Sequence, residues 1–276
     1  MRIPSVAWIA IALIAGAPLP AIAANPSELY LRGDIGISFG TGDADGSHDF
    51  LATPDSGEDD DASPVYGVAA GVSFPMNRAL PWRWRTPALR IPYWPGKAIE
   101  REASDDSGFP DWPVSFEVEY LRGRNFDYVT QGVPNDPYRS EIDSWTVMGN
   151  LRLDFPVRPA VQQLFGRVPL LDPMTVYVGG GAGLAMNEVE ASIATDRGSE
   201  EAYGFAWQAG LGFGYQLTER VRWSAGWRYV DLGDSDIALR SAAGVRNGSY
   251  SVDLGTHEFA TSLTFAFWRV SFLDDD

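Results

Sequence analysis

Residues 221–234 read VRWSAGWRYVDLGD, and the two kinds of bulky side chain in this segment alternate strictly. Trp223, Trp227 and Tyr229 occupy odd positions, whereas Arg222 and Arg228 occupy even positions. Successive side chains of a β-strand point to opposite faces, so the pattern predicts a strand with one aromatic face and one cationic face. The fold therefore depends on the environment that each face meets.

The same period of two recurs along most of the chain. Seven further segments show it, near residues 29–39, 66–74, 114–120, 145–155, 176–184, 205–215 and 259–267. Their apolar residues fall at i and i+2, whereas a helix would place them at i+3 or i+4. Two all-β folds fit eight such segments. One is a soluble β-sandwich with the aromatic face in a core. The other is an eight-stranded antiparallel up-and-down transmembrane β-barrel, with that face in lipid.

Composition excludes several functional classes. The 276 residues include no cysteine, so disulfides, thiolate metal sites and cysteine nucleophiles are excluded. His48 and His257 are the only histidines, which leaves few options for histidine-based catalysis. The formal net charge of −16 argues against nucleic acid as a partner, because nucleic acid needs a cationic surface. We predict no cofactor.

The first 23 residues have the layout of a secretory signal peptide. Arg2 precedes an apolar run, and Ala21-Ile22-Ala23 supplies a small-x-small cleavage pattern. The run is shorter than the roughly 20 residues of a spanning helix. We therefore predict a signal peptide over 1–23 and a mature barrel over 24–276.

The polar faces of the segments carry both small residues and charges of opposite sign. A narrow barrel interior needs glycine to relieve crowding and paired ions to fill the remaining space, which favours the barrel over the sandwich. The predicted interior charge network consists of Arg32, Asp34, Glu117, Glu119, Arg152, Asp154, Arg222, Arg228 and Glu258.

Large aromatic residues lie near the ends of the segments, where a membrane barrel meets the lipid headgroups. The predicted aromatic girdle consists of Trp145, Trp207, Tyr215, Trp223, Tyr229 and Trp268.

The connections alternate in character, which is typical of outer-membrane barrels. The odd connections, 41–64, 123–143, 188–202 and 232–256, hold 20 acidic and 5 basic residues, and we predict long acidic extracellular loops there. An even strand number then leaves both termini in the periplasm. The connection 75–112 is long, basic and aromatic, and we predict that it is periplasmic. Segment 158–167 fits either one or two helical turns or coil.

A family resemblance supports the barrel. Gly226-Trp227-Arg228-Tyr229, followed by Asp231 and Gly233, resembles the penultimate strand of opacity-protein-like small outer-membrane β-barrels, relatives of the OmpA membrane domain. The Gly-rich segment 177–190 resembles a middle strand of the same group. The resemblance implies a bacterial outer-membrane location and a surface protein, some members of the group engaging host molecules through their loops.

Two local patterns are candidates for chemistry. Asp43, Asp45 and Asp49 resemble the front half of a calcium loop, but residue 54 is Pro where the bidentate glutamate is expected. They are a weak cation-binding candidate that could link the surface to lipopolysaccharide phosphates. His257-Glu258, with Ser249 and Ser251 nearby, is the weak signal for a lipid A hydrolase.

These observations predict an outer-membrane surface protein with a structural or loop-mediated interaction role. An eight-stranded barrel is just wide enough for side chains, so we predict no general pore. Expected partners are outer-membrane lipid, lipopolysaccharide and an extracellular ligand at the loops, and we expect a monomer. The alternatives are a membrane-embedded lipid-modifying enzyme and an exported soluble β-sandwich that binds a ligand.

Overall fold

The computed structural model describes residues 26–48, 51–75, 112–130, 138–166, 168–193, 196–241 and 243–271. Its strands are β1 (Pro26–His48), β2 (Leu51–Pro75), β3 (Pro113–Thr130), β4 (Tyr138–Pro156), β5 (Met174–Ile193), β6 (Asp196–Gln216), β7 (Val221–Arg240) and β8 (Arg246–Ser271). Between β4 and β5 lie a helix, α1 (Arg158–Phe165), and a 3₁₀ turn, Pro169–Leu171. No helix in the described ranges has the length and apolar character to cross a membrane. The predicted signal peptide and residues 76–111 of the predicted basic connection lie outside these ranges.

The eight strands form one closed antiparallel barrel. Each strand pairs with its neighbour in the chain, and β8 pairs with β1 along nearly their whole length, from Pro26↔Ser271 to His48↔Gly248. The β2–β3 ladder is shorter and runs from Tyr66↔Arg122 to Pro75↔Pro113. The predicted up-and-down barrel is confirmed, and the two-sheet sandwich is wrong.

The barrel has two ends with different connections. The terminal end is where β1 begins and β8 ends, and it also carries α1 and the tight turn 217–220. The hairpin end carries the four connections between β1 and β2, β3 and β4, β5 and β6, and β7 and β8.

Lipid-facing side chains lie on the outside of the half next to the terminal end. Ile35, Val68, Phe205, Leu211 and Leu263 are each more than half exposed there. Such a continuous apolar surface would be unfavourable in water and suits the hydrocarbon of a bilayer.

The segments that we assigned to long loops are largely strand, so the predicted loop bounds need correction. β5 continues to Ile193, β6 begins at Asp196, and only residues 194–195 separate them. Residues 123–130, 138–143 and most of 232–256 are strand as well. Residues 41–48 and 51–64 also continue β1 and β2. In β4 and β5 the carboxylates of Glu141, Glu188 and Glu190 are exposed on strand surfaces, because they alternate with buried residues such as Ile142 and Val189.

Two bulges exchange the inward and outward faces within a strand. In β3 the register shifts between Leu121 and Arg124, and in β7 it shifts between Asp231 and Gly233. Gly123 and Gly233 have φ values of 106° and 75°, which glycine adopts without strain. After each bulge, residues of the opposite parity face the interior.

Candidate functional site: the barrel interior and the hairpin end

Arg32 is the first centre of an ion network inside the membrane-facing half. Its guanidinium contacts the carboxylates of Glu117, Glu119 and Asp34, with Nη2 2.5 Å from Glu119 Oε1 and Nε 2.9 Å from Asp34 Oδ1. Tyr30 donates a hydrogen bond to Glu117 Oε2 at 2.9 Å. Because these side chains are at least nine-tenths buried, they must neutralise one another rather than rely on water.

Arg228 links this centre to a second one. Its Nη1 lies 2.9 Å from Glu119 Oε1, and its Nε lies 2.5 Å from Glu258 Oε2. Arg124 Nε binds the other oxygen of Glu258 at 2.5 Å. The two glutamates are therefore each shared by two arginines, Glu119 by Arg32 and Arg228, and Glu258 by Arg124 and Arg228.

A smaller cluster lies toward the terminal end. Arg152 Nη2 and Arg222 Nη1 lie 2.9 and 3.3 Å from opposite oxygens of Asp154. The guanidinium carbon of Arg152 is 3.8 Å from the centroid of the Tyr177 ring, a cation–π contact. Asp154 is fully buried, whereas the Arg222 side chain is 27% exposed.

The charges of the network balance. The structure brings together all nine predicted network residues and adds one, Arg124, which gives five arginines and five carboxylates. These ten side chains, in two clusters, together carry no net formal charge.

Three interior residues were absent from the prediction. Arg124 lies in a range that we assigned to a loop, and Gly123 before it is the only local sign that the strand continues through a bulge. Asn150 and Gln208 donate hydrogen bonds to Glu119 Oε2 at 3.0 and 2.8 Å. Both occupy polar-face positions of predicted strands, but a pattern of opposite charges does not predict uncharged partners.

A cavity of about 80 Å³ lies beside the network. Arg228 and Gln208 line it, and Arg228 Nη2 and Gln208 Oε1 have no hydrogen-bond partner within the described part of the chain. Polar space of this size accommodates several water molecules, which would satisfy both atoms. The membrane-facing half of the lumen is thus suited to hold water between its ions.

Glycines on β6 and β7 make room for Tyr177. A Cβ atom at Gly212 would lie 2.6 Å from Tyr177 Oη, and one at Gly226 would overlap the same oxygen. Gly212 and Gly226 are opposite each other in the register. The glycines of β6 and β7 therefore leave space for the Tyr177 side chain, which extends from β5 over β6 to β7.

The half near the hairpin end has the opposite polarity. Its interior is a packed apolar core, which consists of Phe126, Ile142, Met148, Ala185, Val189, Ala191, Ala206, Val230, Leu232, Ile237, Leu239, Val252 and Leu254, none more than 3% exposed. Among the described residues, the interior thus changes from a charged half to a half that is lined mainly by apolar side chains.

Carboxylates cover the outside of this second half. Asp127 is opposite Glu141, and Glu141 is opposite Glu190 in the register of β3, β4 and β5. In the neighbouring row of outward-facing residues, Glu188 is opposite both Asp143 and Glu201. Like charges directly opposite on a sheet are unfavourable, so this surface gains stability from counter-ions.

The predicted girdle residues for which side chains are described form two groups along the barrel. Trp145, Trp207 and Tyr229 lie nearer the hairpin end, and the Trp207 and Tyr229 rings are 5.5 Å apart. Tyr215 and Trp223 lie near the terminal end. Tyr215 and Trp207, eight residues apart on β6, are separated by about 20 Å along the axis for a tilt of about 40°. The side chain of Trp268 is outside the described set.

His257 and Glu258 point to opposite sides of β8. Glu258 binds arginines in the lumen, whereas His257 stacks on the outside against Trp227, with ring centroids 5.6 Å apart. Ser249 is eight residues from His257 on the same strand, or about 27 Å. Ser251 is six residues from His257 on the same strand, or about 20 Å, so the predicted hydrolase residues are not brought together.

The weak cation candidate cannot be placed. Asp43 and Asp45 belong to β1 by their backbone, but their side chains and all of Asp49 lie outside the described set.

Comparison with known proteins gives one family match. The model of the outer membrane protein beta-barrel domain matches residues 106–267, more than half of the chain. Outer membrane protein PagN of Salmonella typhimurium (strain LT2) is 29% identical over 101 residues, which are 34% of this chain and 42% of PagN. The match thus spans less than half of the length of that relative.

Solved barrels are similar at low identity. Outer membrane protein OprG from Pseudomonas aeruginosa is 14% identical, with 90% of this chain and 99% of OprG covered and a TM-score of 0.49. Neisserial surface protein A is 13% identical, with 88% and 99% covered and a TM-score of 0.39.

Proposed function

Because this chain belongs to the outer membrane protein beta-barrel domain family, and so lies in the bacterial outer membrane, we propose that it is a surface protein that acts through the outside of its hairpin end. The observation that carries the proposal is the filled lumen. Balanced ions occupy one half and an apolar core the other. We propose that a lumen occupied in this way does not serve as a channel, which leaves the outer surfaces of the barrel for interaction.

The proposal places the hairpin end outside the cell and the terminal end in the periplasm. An even number of strands puts both chain ends on one side, and a chain exported amino end first would retain them in the periplasm. The carboxylate rows would then stand above the membrane. The two aromatic groups would lie at the two headgroup interfaces.

The first test is of orientation. The chain has no cysteine, so single cysteines can be labelled without background. Asp236 and Glu219 are both exposed, Asp236 in β7 toward the hairpin end and Glu219 in the tight turn at the terminal end. On intact cells a membrane-impermeant maleimide should label the variant Asp236→Cys and spare Glu219→Cys. Labelling of Glu219→Cys alone would refute the orientation.

The second test is of conduction. Purified protein in planar bilayers should give no steady porin-sized current steps, because the interior of an eight-stranded barrel is just wide enough for side chains. Such steps from the wild-type protein would overturn the proposal.

We further propose lipopolysaccharide as one partner of the acidic surface. Both are anionic, so contact requires divalent cations between carboxylates and phosphates. Vesicle-bound protein should associate with lipopolysaccharide in Mg²⁺ and release it in a chelator. The double variant Glu141→Gln, Glu188→Gln should lose most of the Mg²⁺-dependent binding of lipopolysaccharide. The variant Glu219→Gln should keep this binding. Equal binding by all three proteins would remove this partner.

The proposal assigns no catalysis. The His–acid pair that would support a lipid hydrolase is divided between the lumen and the outer surface. A His257→Ala variant should therefore leave the lipid A of expressing cells unchanged. Loss of a lipid A modification in that variant would restore the enzyme hypothesis.

A further inference from the structure

Three large apolar side chains in the connection between β4 and β5 are more exposed than the membrane-facing surface itself. Leu164, Phe165 and Leu170 are 74%, 78% and 71% exposed, compared with 66% for Phe205 on the lipid-facing side of β6. An exposed apolar group of this size requires a covering partner.

The sequence of α1 places its apolar residues on one face. Val161, Leu164 and Phe165 have the i, i+3, i+4 spacing of an amphipathic helix, and helical position 163 lies about 160° around the axis from both Val161 and Phe165. Pro159 near the start of the helix is compatible with its first turn. The helix therefore presents an apolar stripe rather than scattered exposed residues.

Hydrogen bonds hold this connection at the rim of the barrel. Val157 N donates to Met174 O at 3.1 Å, directly before α1 and at the first residue of β5. Arg158 forms an ion pair of 3.7 Å with Asp172. Gln216 N donates to Pro173 O at 3.0 Å, which joins the connection to β6 as well. An eight-residue helix is only about 12 Å long, so α1 stays close to the rim.

The apolar stripe is continuous with the lipid-facing belt. β4 ends at Pro156, two residues before α1, and the Phe155 ring packs against Trp112 with centroids 4.8 Å apart. Val176, two residues into β5, is 42% exposed on the outer face. The connection thus leaves and rejoins the barrel at the level where the belt meets the headgroups.

We propose that α1 and Leu170 form a membrane anchor that lies in the interface of the leaflet at the terminal end, with Leu164, Phe165 and Leu170 among the lipid chains. The partner is a phospholipid surface, which suits a short amphipathic helix with a polar opposite face. The anchor rests on the proposed function in one respect only, since the proposed orientation decides which leaflet the helix enters. It would fix the depth of the barrel and resist its rotation in the bilayer.

The test uses single-cysteine variants that carry a nitroxide, in vesicles of phosphatidylcholine. Phe165→Cys is the test position, and Gln163→Cys, at the helical position on the opposite face, is the matched control. Oxygen concentrates in lipid and a nickel chelate in water, so the ratio of the two accessibilities reports the surroundings of each label. We expect a ratio several-fold higher at position 165 than at position 163.

Two outcomes would overturn the anchor. Equal ratios at positions 163 and 165 would mean that the stripe faces water. A label at position 165 that neither reagent reaches would mean that protein covers it, either another segment of this chain or a second copy. Retention of heat-modifiable gel mobility by both variants shows that the barrel has folded. The labelling of Asp236→Cys on cells is independent of this result, so failure of the anchor and failure of the proposed function are distinguishable.

Discussion

Arg228 holds together the two halves of the main ion network, and its replacement by methionine should be strongly destabilising. The Arg228 side chain is 14% exposed, and it bridges Glu119 and Glu258, which are 1% and 0% exposed. Methionine retains most of the volume and removes the charge. The variant leaves five carboxylates with four arginines, so the network carries one net negative charge, and Glu119 and Glu258 each lose one of two arginine partners.

The magnitude follows from the distances. At an effective dielectric constant of about 20, charges 2.9 Å apart attract by about 6 kcal/mol before the cost of desolvation. Removal of one partner from a buried pair costs about 3–5 kcal/mol in net free energy of unfolding. Glu119 keeps Arg32 and Glu258 keeps Arg124, each at 2.5 Å, so we expect the lower end, about 3 kcal/mol.

Arg222→Met provides the matched control. Arg222 is 27% exposed, and its partner Asp154 keeps Arg152 at 2.9 Å. We expect a loss of about 1 kcal/mol or less, as for a solvent-accessible pair. The assay is reversible urea unfolding in phospholipid vesicles, followed by tryptophan fluorescence. If Arg228→Met cost no more than Arg222→Met, the reasoning from a coupled, buried network would be refuted.

Three further predictions test other parts of the barrel, all by the midpoint of the same unfolding transition. Gly226→Ala should lower the free energy of unfolding by about 1–3 kcal/mol, because the new Cβ overlaps the Tyr177 side chain. Gly33→Ala, with no atom within 4 Å of the new Cβ, should lower it less, and equal losses would contradict the steric account. Leu254→Ala in the apolar core should cost about 2–5 kcal/mol and Leu263→Ala on the lipid face clearly less, and the reverse order would show that the interior of the hairpin half is not packed. Glu188→Gln should raise the free energy of unfolding by about 0.2–1 kcal/mol in low salt, because Glu188 is opposite two carboxylates. A gain in stability that persisted in 1 M salt would not be electrostatic.

The membrane-facing half could be predicted from the sequence because its two environments select opposite residue types. Hydrocarbon requires apolar side chains outside, and a closed lumen requires paired charges inside. The alternation of Arg222 with Trp223 therefore predicts that the arginine faces the lumen and the tryptophan faces lipid. The partners within the lumen could not be predicted. The sequence places Arg228 and Glu119 on inward faces, but their contact depends on how the strands tilt and stagger around the barrel.

The half near the hairpin end was mistaken for loops because its charge obscured its period. Val189 alternates with Glu188 and Glu190, which is the pattern of a water-exposed strand with a buried apolar face. The faces exchange at Gly233, where one extra residue enters β7 without a break in the strand. A single glycine does not distinguish a bulge from a turn, so the exchange of faces could not be foreseen.

Site-specific nitroxide labels along β7 would test the central claim most directly. The account predicts hydrocarbon surroundings at position 223, a sequestered polar lumen at position 222, water at positions 234 and 236, and dry protein packing at position 237. An oxygen preference at position 222 together with nickel access at position 223 would contradict the arrangement of an ion-filled lumen inside a lipid-facing wall.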